Sequence, residues 1–231
     1  QVVESKARFK VLVTGRRFGK THLAIRQLIK YASEPNKRVW FVCPTYRQAK
    51  MVSWSILKDI FAKKDVSINE TELSITFDNG AKIELKGADK PDSLRGVSTT
   101  MVVMDEYSYM KENVWGEIIQ PTLAETKGNA LFVGTPTGVQ NHFYDLFVKG
   151  QSKGGDYKSW QFTTLEGGFI SADEVENAKK NLDKRTFEQE YLASFLTAAN
   201  RAAYNFSRDI HCRVMDKSPR MFWRSEEHTY E

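Results

Sequence analysis

Thr14-Gly15-Arg16-Arg17-Phe18-Gly19-Lys20-Thr21 decides the reading of this chain. Leading into it, Lys10–Thr14, with Val11-Leu12-Val13 at its centre, reads as a buried strand. After it, from about Lys20 to Ser33, Leu23, Ala24, Leu28 and Ile29 recur at helical spacing on one face. A glycine-bearing loop between a strand and a helix N-terminus is a phosphate cradle: backbone N–H groups wrap the anion and the helix end points its positive pole at it. Lys20 then reaches the β- and γ-phosphates, and the Thr21 hydroxyl ligates Mg²⁺. The match to G-x-x-x-x-G-K-[ST] is imperfect, because Thr14 stands at the first glycine position and Gly15 follows one residue late. Arg16 and Arg17 are unusual inside such a loop. Solvated charges are the plain reading; a contact from at least one of them to a docked triphosphate is the favoured one.

Thr100–Met104 is a second apolar strand, and it runs straight into Asp105-Glu106. Strands that end in surface acids are common. With a phosphate loop upstream, Asp105 instead belongs in the Mg²⁺ shell and Glu106 polarises a water for attack on the γ-phosphate. An adjacent glutamate shifts the reading toward hydrolysis, since a site that only binds has less need of a base. Phe132-Val-Gly-Thr-Pro-Thr-Gly138 is another strand, breaking into a turn of small residues. It is either an ordinary corner or the place where Thr135 senses the γ-phosphate, as the strand beside the acidic one does in additional-strand P-loop ATPases.

The rest alternates in the same way. Arg38–Cys43 reads as a strand closed by Pro44, followed by a helix from about Arg47 to Lys64 with Val52, Ile56, Leu57, Ile60 and Phe61 on one side. Leu73–Phe77 and Ala81–Leu85 flank Asp78-Asn79-Gly80, a strong hairpin signal. Ala130–Val133, a helix near Val139–Phe147 and a strand at Tyr157–Thr163 come next. Ser171-Ala-Asp-Glu174 is a capping box opening a helix, with Lys184–Phe195 as another behind it. Strands alternating with helices predict an α/β fold with a mostly parallel sheet flanked by helices. With its phosphate loop, acidic strand end and the turn after Phe132, it resembles the additional-strand, RecA-like P-loop type. The domain is expected to span 1–196. Beyond it the pattern weakens, and 197–231 reads as a linker or tail.

Composition bounds the alternatives. In 231 residues, 34 Lys+Arg against 29 Asp+Glu leave a net charge of +5, which permits a polyanion partner without establishing one. With 41% hydrophobic residues the chain can build a core, so disorder is excluded. The apolar runs fall far short of the ~20 residues that cross a bilayer. Cys43 and Cys212 form no C-x-x-C pair, suggest no zinc site and fit a reducing compartment; Cys43 ends an apolar run and reads as buried. The basic residues around Lys149–Lys158 are candidate nucleic-acid contacts.

Taken in order, Gly15-Arg-Arg-Phe-Gly-Lys-Thr21, Val42-Cys-Pro-Thr-Tyr-Arg-Gln-Ala-Lys50, Ser93-Leu-Arg-Gly96, Val102-Val-Met-Asp-Glu106, Gly134-Thr-Pro-Thr-Gly138 and Phe187–Phe195 resemble the ATPase domain of tailed-bacteriophage large terminases, the motors that package DNA. The displaced first glycine is itself typical of that family. The resemblance spans roughly residues 1–206. It implies Lys20 and Thr21 on phosphate and Mg²⁺, Asp105 on Mg²⁺, Glu106 as the base, and Gly134-Thr135-Pro136 as the motif coupling hydrolysis to DNA movement. It also implies Arg95 as an arginine finger acting in trans, a nucleotide held by Gly15, Arg16, Arg17, Phe18 and Gly19, and Gln1 as a reader of adenine. Tyr46 and Gln48 resemble a further helicase-like motif.

The implied activity is Mg²⁺-dependent ATP hydrolysis driving double-stranded viral DNA into a procapsid. The implied partners are that DNA, the portal protein, the small terminase subunit and further copies in a ring on the portal, with the isolated chain free to stay monomeric. No membrane partner is implied. The expected location is the host cytoplasm, docked transiently on the procapsid and absent from the mature virion. Tyr204-Asn-Phe206 and Asp209-Ile-His211 resemble the lead-in to a C-terminal nuclease; no strand-borne acidic cluster follows, so no nuclease activity is expected of this chain. A helicase-like translocase, or a nucleotide switch with little turnover, stays open beside this reading.

Overall fold

The strands whose sequences alternate least lie at the middle of the sheet, and their burial explains why. In the computed structural model, which describes residues 1–152 and 154–197, β1 (Phe9–Thr14), β2 (Arg38–Cys43), β6 (Met101–Asp105) and β7 (Asn129–Gly134) are buried almost throughout. A strand covered on both faces has no polar side to display, so it reads as a continuous apolar run. One sheet runs from β3 (Val66–Asn69) through β4 (Ser74–Phe77) and β5 (Lys82–Gly87) to β2, β6, β7, β1 and finally β8 (Tyr157–Phe162). β1 pairs in parallel with β7 and with β8, and β6 in parallel with β2 and β7. The carboxyl ends of β1, β6 and β7 therefore lie side by side, where ligands of open α/β sheets bind.

One face packs Leu12, Phe41, Val103 and Leu131 against α1 (Lys20–Ala32). The other packs Val11, Val42, Met104 and Phe132 against Tyr107, Trp115 and Phe143. On α1 the buried positions are Ala24, Ile25, Gln27, Leu28 and Ala32. The expected stripe thus includes Ala24 and Leu28, while Leu23 and Ile29 lie at its partly buried margin. The hairpin forms as expected: β4 and β5 pair antiparallel around Gly80, whose φ of +78° suits glycine.

Several expectations need correction. The helix expected over Arg47–Lys64 is interrupted. α2 (Tyr46–Ala49) passes through a π-helical turn at Lys50–Trp54 into α3 (Ser55–Phe61). The wider turn rotates the faces after it, so Ser53, Trp54, Leu57 and Phe61 are buried while Val52 and Ile60 are exposed. The short edge strand β3 pairs with β4; its Val66-Ser-Ile-Asn69 alternation spans only four residues and is mostly exposed, too little to announce a strand. Residues 107–128 contain a π-helical turn at Val114–Ile119 and α4 (Gln120–Thr122).

The helix expected near Val139 begins at His142 as α5 (His142–Gln151), behind an Asn141 cap. α6 (Ala172–Asn181) opens on Ser171, whose hydroxyl accepts from the Glu174 N–H. α7 ends sooner than expected, at Lys184–Glu190, capped by Asp183. Cys43 is buried, and burial pushes its thiol well above the usual range. Cys212, the 197–231 tail reading and the Tyr204–Phe206 and Asp209–His211 segments lie outside the described residues, apart from residue 197 itself.

Candidate functional site

The loop Gly15–Gly19 joins β1 to α1, and its backbone is set by two left-handed residues, Arg17 (φ 59°) and Gly19 (φ 95°). At a non-glycine such a conformation costs about 1–3 kcal/mol and marks a site that the surroundings over-determine. The N-terminus of α1 has no side-chain cap and no acidic residue in its first turn, whereas Asn141, Ser171 and Asp183 cap α5, α6 and α7. Its first N–H groups are thus left for an external anion.

The displaced glycine also has a physical reason. Thr14 is the buried last residue of β1 and belongs to the strand. Gly15 turns the chain against the 164 and 191 backbone, where an added Cβ would come within 2.4 Å of Thr164 Oγ1 and 2.6 Å of the Tyr191 carbonyl. The same contact is sealed by hydrogen bonds: Arg16 N–H donates to the Glu190 carbonyl (2.7 Å), and Thr164 Oγ1 donates to the Arg16 carbonyl (2.8 Å). The Arg16 guanidinium pairs with the Glu190 carboxylate, and that bond raises its pKa. Thr164 carries no sequence signal, and although Glu190 lies in the Phe187–Phe195 segment, its contact with the loop exists only through the fold.

Lys20 sits at the centre. Its Nζ lies 2.8 Å from Glu106 Oε1 and 3.4 Å from Thr135 Oγ1, so it joins the ends of β6 and β7. Glu106 itself has a left-handed backbone (φ 53°), which lifts its carboxylate out of the strand direction. Asp105, 2% exposed, accepts from the Glu106 N–H at 3.1 Å. Burial and the adjacent Glu106 push the Asp105 carboxyl up to about 7, against the pull of Lys20, the Glu106 N–H and the Thr21 hydroxyl. A buried carboxylate beside a threonine hydroxyl suits a hard divalent cation whose other ligands are phosphate oxygens and water. Among the described residues no cluster of three or more His, Cys, Asp or Glu exists to hold a metal unaided.

The Asp105 environment has a measurable cost. Its pKa in the fold lies above its ordinary value, so its contribution to stability is full at low pH and is lost as pH rises from about 4 through about 7. Asp105→Asn is therefore expected to melt several degrees higher than the unsubstituted chain at pH 8 without metal or nucleotide, and to match it more closely at pH 5.5. Calorimetry at the two pH values checks this; a variant that melts lower at pH 8 would refute the buried-charge account.

A cleft of about 670 Å³ opens over the loop, lined by Arg16, Arg17, Lys20, Thr21 and Glu106 and walled by Val52, Ile56, Phe169 and Ile170. Phe169 is 70% exposed, yet its ring lies where a Cβ on Gly19 would be, at 2.5 Å. A second cleft of about 590 Å³ holds Gln1 together with Phe18, Arg26 and Phe162; Phe18 stacks on Phe162 with centroids 5.3 Å apart. Phe18 belongs to both the loop and this cleft, so Gln1 and the phosphate loop border the same cleft. Gly134 and Thr135 are buried where β7 ends, and Pro136 is buried just past it. A Cβ on Gly134 would press on the Phe143 ring at 3.2 Å.

Other residues stand apart from this group. Arg95 is half-exposed, with Nε 3.0 Å from Asp92 Oδ1 and Nη1 donating to the Glu117 carbonyl at 3.2 Å. It lines a different cavity, with Ser98, Pro121 and Glu125, and does not line the phosphate cleft of its own chain. Gln48 closes a capping box with Thr45, and the Tyr46 hydroxyl donates to the Thr71 carbonyl, so both serve local structure. Lys149 and Lys158 lean on the rings of Tyr157 and Trp160, at 4.1 and 5.4 Å. Lys158 is level with Lys10, at the far end of β1 from the loop. No helix among the described residues is long and apolar enough to cross a membrane.

Known proteins resemble the chain in sequence and in fold. The model of the family described as terminase large subunit, T4likevirus-type, N-terminal, matches residues 11–226. The large terminase subunits of Thermus phage G20c and Escherichia phage T5 are 30% and 26% identical to the chain. Those alignments cover 90% and 97% of this chain but 44% and 52% of the relatives, so the chain spans about half their length. Among solved structures, the large terminase ATPase domain of Thermus phage P74-26 matches with a TM-score of 0.72 at 24% identity, over 85% of this chain and 93% of that one. The large terminase of another thermophilic bacteriophage, in complex with ADP, matches at 0.71 and 14% identity, over 84% of this chain and 49% of that one. At such identities these two structures establish the fold.

Proposed function

The chain belongs to the T4likevirus-type terminase large-subunit family, and we propose that it is the ATP-hydrolysing part of a viral DNA-packaging motor. The observation that carries the reading is the meeting of three strand ends on one lysine: Lys20 after β1, Glu106 after β6 and Thr135 after β7. The uncapped α1 N-terminus and Lys20 grip the β- and γ-phosphates. Thr21 and Asp105 hold Mg²⁺, which when bound neutralises charge on the phosphates.

The incoming γ-phosphate competes with Glu106 for Lys20, and the exchange releases the carboxylate toward a water molecule. Glu106 takes the proton as the water oxygen bonds to the γ-phosphorus and the bond to the β–γ bridging oxygen breaks. Thr135, within reach of Lys20, registers whether the γ-phosphate is present, and Gly134-Thr135-Pro136 passes that state on toward DNA movement. Gln1, in the cleft with Phe18, reads the adenine edge. In the whole protein we place double-stranded DNA, the portal, the small subunit and further copies in a ring as partners, in the host cytoplasm.

Lys20→Ala is the test. It is expected to lower ATP affinity at least 100-fold, on the order of the loss of a charge-assisted contact to two phosphates. Titration with a fluorescent ATP analogue reads this directly. Unchanged affinity would remove the phosphate-loop assignment and the proposed function with it.

A further inference from the structure

We propose that Asn141 is a positioning residue for the Glu106 base, holding the turn that carries it from outside the nucleotide cleft. This rests on the reading of Glu106 as the base. The left-handed backbone of Glu106 needs support, and it leads into a tight turn, Tyr107–Tyr109, in which Tyr109 N–H donates to the Glu106 carbonyl at 3.0 Å. That turn is braced on three sides. Ser108 Oγ donates to the Thr135 carbonyl at 3.2 Å, His142 Nε2 lies 3.1 Å from the Tyr107 carbonyl, and Asn141 Nδ2 donates to the Ser108 carbonyl at 3.0 Å. With Lys20 joining Glu106 to Thr135, the first brace closes a circuit through the reacting centre. Asn141 ties that circuit to α5.

The residue type is informative. Serine, threonine, aspartate and asparagine all cap helices well, and α6 and α7 use Ser171 and Asp183. At α5 the cap has two partners of opposite kind: Oδ1 accepts from the Phe143 N–H at 2.8 Å while Nδ2 donates to Ser108. A serine or threonine hydroxyl can also donate, but from the single atom that caps; of the four good caps only asparagine accepts and donates through two separate terminal atoms. Hydroxyl and carboxylate caps would serve the helix equally and leave the Ser108 carbonyl without this donor. Hydrogen bonds from Asn141 and His142 thus tie the α5 N-terminus directly to the Glu106 turn.

Separating the cap from the donation gives the experiment. Asn141→Ser and Asn141→Asp keep the cap and lose the donation to Ser108; Asn141→Ala loses both. Steady-state ATP hydrolysis, with KM and kcat separated, and thermal unfolding are measured on each in the chain as it stands. The first two variants are expected to melt within a few degrees of the original and keep KM within about twofold, while kcat falls about tenfold or more. Asn141→Ala is expected to lose the same rate and melt lower. In a Glu106→Gln background, single-turnover measurement is expected to show no further loss from Asn141→Ser, since no base remains to be positioned.

Wild-type kcat in either cap-keeping variant, or a loss that adds in full on Glu106→Gln, overturns the proposal. Should Asn141→Ser fold poorly, Asn141→Asp, the better partner for a helix N-terminus, decides alone. Glu106→Gln that keeps its own rate overturns the base assignment instead, and the positioning role falls with it. An inactive Glu106→Gln beside a fully active Asn141→Asp overturns the positioning alone.

Discussion

Glutamine at position 106 is expected to leave ATP binding intact and cut turnover by about two to four orders of magnitude, the range in which a positioned general base contributes. The substitution keeps shape but removes the charge and the basicity needed to take a proton from water. Because Glu106 also pairs with Lys20 at 2.8 Å, its neutralisation frees the lysine, and ATP affinity is expected to stay level or rise slightly. Nucleotide titration and phosphate-release kinetics on one preparation separate the two effects. A Glu106→Gln variant within about threefold of the original rate would mean that another group takes the proton.

Arg95→Ala is expected to bind ATP normally and to hydrolyse it about 10³–10⁵-fold more slowly, the effect of arginine fingers elsewhere. Arg95 lies outside the cleft of its own chain, so the effect requires a neighbouring copy. Its present partners do not hold it strongly. Asp92 is 88% exposed on its side chain, and such pairs contribute ~1 kcal/mol at most. A planar, permanently charged guanidinium is therefore free to exchange Asp92 for the γ-phosphate of an adjacent copy. Mixing provides the decisive measurement. On the proposed roles, Arg95→Ala subunits retain Glu106 and Glu106→Gln subunits retain Arg95, so co-assembled copies are expected to recover activity where the second donates Arg95 to the first. Co-assembly without any recovery would leave Arg95 a structural residue.

The parts of the site legible in the sequence are those whose chemistry sits at the end of a fully buried strand. Lys20, Asp105, Glu106 and Thr135 come after runs that no surface segment would carry, and the fold brings them together as their motifs require. The illegible parts come from distant chain. Glu190 and Thr164 fasten the loop backbone, and Phe169 covers Gly19, through contacts that no local pattern encodes. Val52 and Ile60 fall on the apolar side of a regular helix, but a π-helical turn breaks the 3.6-residue period between Lys50 and Trp54 and turns them outward. β3 gives no signal because an edge strand of Val66-Ser-Ile-Asn69 has little to bury.

The position of β1 in the sheet also governs the order of assembly. Its neighbours on either side are β7 and β8, with Phe9 aligned to Ala130 on one edge and Tyr157 on the other. A chain made from its N-terminus at ~5–20 residues per second needs on the order of ten seconds between presenting its first strand and supplying the second of those neighbours. During that interval at least one edge of β1 is open, with apolar residues on both faces, which is the condition under which nascent chains pair wrongly. The grip on nucleotide is consequently among the last features to form. Most of the described chain must be synthesised before the loop after β1 finds Thr164 and Glu190.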